Sequence, residues 1–114
     1  MSTASPYALY IGRLSPNSRR SIASQLTSLS KLMQWDESER EQRLYQVDYA
    51  QAMLIRQTLT AADWSARSIN RAMIAIRGIV KVAVLQGIAQ QQQLAQLESI
   101  QQLKHGEHQG TALT

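Results

Sequence analysis

The side chains in this sequence best placed to do chemistry are cations. The stretch WSARSINRAMIAIRGIVKVAVLQG, Trp64 to Gly87, carries Arg67, Arg71, Arg77 and Lys81 and no acid. On a helix turning about 100° per residue with Arg67 at zero, Arg71 falls at roughly 40°, Lys81 at roughly −40°, Asn70 at roughly −60° and Arg77 at roughly −80°. Ile69, Ile76, Val80 and Ala83 gather on the opposite side, with Met73 beside them. Ile74, Val82 and Leu85 land in the polar sector, where they are expected to touch a neighbouring helix or a partner. An earlier segment repeats the pattern. Arg20 and Lys31, eleven residues apart, lie within roughly 20° of one another. Ser24 and Thr27 share their stripe, Arg19 sits at its boundary, and Ile22, Leu26, Leu29 and Met33 face away. Arg presents a planar fork to phosphate or guanine, Asn pairs with adenine, and hydroxyls hold phosphate oxygens. Two acid-free faces of these types suit nucleic acid. The competing reading is a solvated surface whose cations are paired by acids between Asp36 and Glu41.

Other candidates carry less. His105 and His108 flank Glu107 in a Gly-containing tail with no rigid element to hold a metal and no evident fourth ligand. Asp36, Glu37, Glu39 and Glu41 sit in a polar stretch with nothing to desolvate one of them, so acid–base work is not expected there. No Gly-rich phosphate loop, Ser/His/Asp constellation or nucleotide fingerprint is present, and no cofactor is expected. Trp35 and Trp64, each at a helix boundary, read as plugs at the ends of the core rather than as base-stacking platforms.

The elements that must position the cations follow from periodicity and from start and stop signals. With 114 residues, no cysteine and no Phe, the chain has one domain's worth of sequence and a core of Leu, Ile, Val, Ala and Met. It has twelve Lys+Arg against eight Asp+Glu, a net charge of +4. No apolar run approaches the roughly 20 residues of a membrane span. Ser5-Pro6 starts a short first helix, and Ser15-Pro16 caps a helix from about Pro16 to Met33. QWDESEREQRLYQ reads as a loop with partial helical character. Asp48 caps a segment from Tyr49 to about Leu59, in which Ala52, Ile55 and Leu59 share a face. Ser65 opens the long basic helix and Gly87 ends it. A last helix from about Gln91 to Leu103 places Leu94, Leu97, Ile100 and Leu103 inward with Gln outside. The expectation is an all-α bundle of four to five helices over residues 1–104, followed by a tail or linker over 105–114.

LSPNSRRSIASQLTSLSKLM, Leu14 to Met33, and ARSINRAMIAIRGIVKVAVLQGI, Ala66 to Ile88, resemble the two characteristic helices of a known domain. This is the N-terminal DNA-binding domain of tyrosine recombinases (phage-type integrases), also called the core-binding or SAM-like domain. The second motif is carried by Ser68, Asn70, Arg71, Met73, Ala75, Ile76, Arg77, Gly78 and Gly87-Ile88. HGEHQGTALT is similar to the family's linker into its catalytic domain, so the resemblance runs from about Tyr7 to Thr114. Gln90 to Gln93 stand where the family often has Asn-Pro, and KHGEHQG carries fewer cations than the usual linker.

The resemblance implies a clamp domain that grips double-stranded DNA, with Arg19, Arg20, Ser68, Asn70, Arg71, Arg77 and Lys81 as contact residues. Joined to the helical-face argument, the DNA-binding set is Arg19, Arg20, Ser24, Thr27, Lys31, Arg67, Ser68, Asn70, Arg71, Arg77 and Lys81. The family's nucleophilic tyrosine belongs to a C-terminal domain. Tyr7, Tyr10, Tyr45 and Tyr49 all lie in the first half of this chain, and none corresponds to it. The expected role is therefore a non-catalytic DNA-binding piece of a site-specific recombinase, cytoplasmic in a bacterium or encoded by a phage or mobile element. It is expected to be monomeric alone and to oligomerise on DNA in the full enzyme. The alternative is a helical protein–protein module with an acidic partner. A helix-turn-helix regulator is disfavoured because no short turn of about three to four residues joins two helices in the required way.

Overall fold

The computed structural model describes residues 4–104. Among these the chain is all-helical: α1 (Pro6–Gly12), α2 (Pro16–Leu32), a 3-10 turn (Glu37–Glu39), α3 (Arg40–Tyr45), α4 (Tyr49–Ala61), α5 (Ala66–Leu85) and α6 (Gln91–Glu98). Four helices start on a side chain that accepts from a free N–H of the first turn. Ser5 Oγ accepts from Ala8 N at 3.0 Å, Ser15 Oγ from Ser18 N at 3.3 Å, Asp48 Oδ1 from Gln51 N at 2.9 Å and Ser65 Oγ from Ser68 N at 3.1 Å. In α1 and α2 the next residue is proline, which gives up no hydrogen bond at that position.

Three helices stop the same way, with one residue in the left-handed region and the following N–H reaching back five residues. At the end of α2 this residue is Gln34 (φ 61°), and Trp35 N donates to Ser30 O at 3.0 Å. After α4 it is Asp63 (φ 67°), with Trp64 N donating to Leu59 O at 3.1 Å. After α5 it is Gly87 (φ 78°), with Ile88 N donating to Ala83 O at 2.8 Å. Only the last uses the residue that takes this conformation without steric cost. Trp35 and Trp64 follow these stops and pack partly buried against the core, as helix-end plugs.

α5 is the axis of the fold and touches each of the other five α-helices. Its inward side carries Ile69, Ala72, Ala75, Ile76, Ile79, Val80 and Ala83, all buried; the small residues among them let neighbours approach closely. α2 contributes Ile22, Leu26 and Leu29, and α4 contributes Ala52, Ile55 and Leu59. Val82, placed in the polar sector by its angle, is also buried.

Two expectations about elements are corrected. The segment read as a loop with partial helical character holds the 3-10 turn and a defined helix, α3, and the chain there buries Leu44 and, just beyond, Val47. Gln93 Nε2 donates to Tyr45 O at 2.8 Å and Val47 O at 2.7 Å, so this glutamine closes the α3 end instead of facing solvent. α6 ends at Glu98, not Leu103. Ile100 and Leu103 still pack on the core because the non-helical segment after Ser99 is tied down by side chains of α4 and α5.

Candidate nucleic-acid interface

Burial fixes which residues of α5 face outward. Arg67, Arg71, Ile74, Lys81 and Leu85 are exposed, Gly78 is half-buried on the same line, and Arg77 flanks it half-buried. The steps of four, three, four, three and four along this line are those of a single helical stripe. Four cations thus share an outer face while Ile69, Ile76, Val80 and Ala83 anchor the opposite one. Ile74 and Leu85, 39% and 77% exposed, put apolar surface among the cations.

The acids of residues 36–41 do not neutralise this face. Glu39 pairs with Arg43 at 3.2 Å, the one ion pair among the described residues. Glu41 accepts from Ser5 Oγ at 2.8 Å, and Asp36 caps the 3-10 turn through Ser38. Among the described residues, no carboxylate stands within ion-pair distance of Arg67, Arg71, Arg77 or Lys81. The α5 face is therefore a concentration of positive charge not tied up in ion pairs among the described residues, open to an anion without an ion pair having to break.

On α2 the outer stripe carries exposed Arg20, Ser24 and Lys31. Thr27 is half-buried, and Arg40 Nη1 reaches its Oγ1 at 3.5 Å, which turns it toward α3. Arg19 is exposed but engaged: its Nη2 donates to Gly12 O at 3.3 Å and Leu14 O at 3.1 Å, bridging the turn from α1 to α2. Ser68 is half-buried in the first turn of α5, where its hydroxyl oxygen accepts from Ser65 Oγ at 3.1 Å.

Asn70 departs from its expected place on the cationic stripe. It is only 5% exposed. Its Nδ2 donates to Leu103 O at 2.7 Å and its Oδ1 accepts from Leu103 N at 2.8 Å. Arg56 on α4 donates from Nη1 to Gln101 O at 3.1 Å. The amide expected on the DNA-facing stripe is instead engaged with the backbone of the segment after α6. An angle of roughly −60° put Asn70 at the edge of the stripe, and burial by that segment decides its side.

Sequence reasoning passed over Arg13, which closes the end of α1 and stands in one concavity with Arg77 and Lys81. Its only sequence trace is the spacing Tyr10-x-x-Arg13, which lets the guanidinium lie over the ring, 5.2 Å from the centroid. Among the described residues there is no group of His, Asp and Glu fit to hold a metal, and no helix is long and apolar enough to cross a membrane. His105, Glu107, His108 and the proposed linker over 105–114 lie outside the described residues.

The family model described as "Phage integrase, N-terminal SAM-like domain" matches residues 8–87 of the chain. The matched span runs from α1 to the glycine that stops α5 and so includes both basic helices. No curated protein and no solved structure matches the chain.

Proposed function

The chain belongs to the family of phage-integrase N-terminal SAM-like domains, and on that premise we propose that it binds double-stranded DNA through the outer faces of α5 and α2. The observation that carries this reading is the α5 stripe, on which Arg67, Arg71, Arg77 and Lys81 have no carboxylate partner among the described residues. Backbone phosphates meet that requirement, since cations on a rigid helix neutralise them and release condensed counterions.

In this proposal Arg71 and Arg77 are the principal contacts, because they satisfy both the helical-face argument and the family motif. Arg67 and Lys81 extend the contact along the helix, and Ser68 adds a hydroxyl at its N-terminal turn. Arg20, Ser24 and Lys31 supply the second contact from α2. Arg19 and Thr27 contribute through the positions they hold, and Asn70 acts as a tie within the fold. The domain itself performs no chemistry. It serves as the DNA-gripping half of a site-specific tyrosine recombinase whose catalytic groups lie on a separate domain, and several such enzymes assemble on one DNA.

Titration of the intact chain against short duplexes at low and moderate salt tests the proposal. Binding that weakens steeply with salt supports it, and no duplex binding at low salt overturns it. The exposure of Ile74 and Leu85 favours a second reading, a protein partner with an acidic rim around an apolar centre. That reading gains if duplexes fail to bind.

A further inference from the structure

α1 and α5 meet where α5 has no side chain. A Cβ on Gly78 would stand 2.8 Å from Tyr10 Cδ1 and closer still to Cε1, so glycine lets the tyrosine ring lie directly on the helix. At the other end of the contact, Gln86 Nε2 donates to Ala4 O at 3.0 Å, so α1 runs antiparallel along α5. This course delivers Arg13, from a different helix, to the concavity that α5 lines with Ile74, Arg77 and Lys81. Glu98 of α6 lines it too, yet none of the three cations forms an ion pair among the described residues.

We propose that this concavity at the α1–α5 crossing is a phosphate site in which Arg13, Arg77 and Lys81 hold one nucleic-acid backbone phosphate. The proposal rests on the reading that α5 faces a duplex and adds to it a residue from outside both basic helices. Three like charges around one depression repel each other, and a phosphate relieves that repulsion while supplying acceptor oxygens to all three. Arg13 is pre-positioned by its stacking on Tyr10, so less side-chain freedom is lost when it binds. Two arginines offer planar forks and the lysine a point charge, a combination suited to one tetrahedral anion. Glu98 lines the same concavity, so its carboxylate opposes the anion and lowers the site's affinity below what the cations alone would give.

The test compares the intact wild-type chain with Arg13→Gln, Arg77→Gln, Glu98→Gln and Arg43→Gln by fluorescence anisotropy on short duplexes across a salt series. Arg43→Gln removes the same charge from α3, where Arg43 lines a separate depression with Trp35. A lost phosphate contact lowers the slope of log K against log salt by about 0.9, which at about 0.1 M salt is roughly eightfold in affinity. Arg13→Gln and Arg77→Gln are each expected to show that loss, equally on unrelated duplex sequences. Glu98→Gln is expected to tighten binding by about threefold, as removal of a nearby like charge would. Circular dichroism checks that each variant keeps its helix content, and a gain of affinity in Glu98→Gln cannot arise from misfolding. The inference is overturned if Arg13→Gln behaves like Arg43→Gln while Arg77→Gln weakens binding, or if Glu98→Gln changes nothing. The first of these leaves the wider DNA reading standing. Absence of duplex binding by the wild-type chain overturns both.

Discussion

Asn70→Ala and Asn70→Asp separate two roles for the motif asparagine, a reader of DNA bases or a tie within the chain. The amide makes two hydrogen bonds to the Leu103 backbone, at 2.7 and 2.8 Å, from a position 5% exposed. Each such bond contributes about 1 kcal/mol net, so alanine is expected to cost about 2 kcal/mol. Further loss follows if Ile100 and Leu103 loosen from the core. Aspartate has nearly the same shape, and one oxygen can still accept from Leu103 N. Its other oxygen, however, replaces the donor facing Leu103 O, which sets two acceptors against each other in a buried place. That costs about 3 kcal/mol or more, so the closer mimic is expected to be the less stable variant. At about 4 °C or more per kcal/mol for a domain of this size, alanine lowers Tm by roughly 8 °C and aspartate by more. Thermal unfolding followed by circular dichroism gives the order, and duplex binding on the same samples below the transition gives the second readout. A Tm for Asn70→Ala within about 1 °C of wild type, together with lost duplex affinity, would refute the tie and restore the base-reading role.

Gly78→Ala places a methyl group against the Tyr10 ring. Alanine is the better helix former by about 1 kcal/mol, but displacing the ring is expected to cost about 1–3 kcal/mol, leaving the variant less stable by Tm. A rise in Tm would show that α1 yields without cost. Burial raises the Tyr7 phenol above its ordinary 10.0, Arg40 opposes the shift and Glu41 adds to it. A raised folded value means that this contribution is complete below pH 10.0 and falls away as pH rises through the folded value. Urea unfolding at stepped alkaline pH should therefore show a decline that is shallower in Tyr7→Phe, and an identical decline in both proteins would remove Tyr7 as its source.

Much of the fold was legible because its punctuation is local. Ser15, Asp48 and Ser65 cap helices by reaching N–H groups three residues away, and Gly87 stops α5 by its own backbone freedom. α3 escaped because its stability is not local. Six residues with Leu44 as the buried one become a helix through packing on α1 and α5 and through the Gln93 amide on the carbonyls behind it. The end of α6 escaped for the opposite reason. Leu94, Leu97, Ile100 and Leu103 keep a helical spacing, but a non-helical strap held by Asn70 and Arg56 brings the last two to the same core. Of the candidate site, the α5 stripe could be drawn from angles alone, since Arg67, Arg71 and Lys81 lie near its centre. Asn70 at its edge depended on a segment 33 residues away, and Arg13 depended on the close approach of α1 to α5 at Gly78, a contact between distant parts of the chain.

The central claim is that the cations of α5 bind duplex DNA. Its most direct measurement is the salt dependence of duplex affinity for the intact chain and for Arg71→Ala/Arg77→Ala. If each arginine neutralises one phosphate, the double variant lowers the slope of log K against log salt by about 1.8, and at about 0.1 M salt it binds roughly 60-fold more weakly. A double variant that binds as tightly as wild type, with the same slope, would contradict the assignment of the α5 face to DNA.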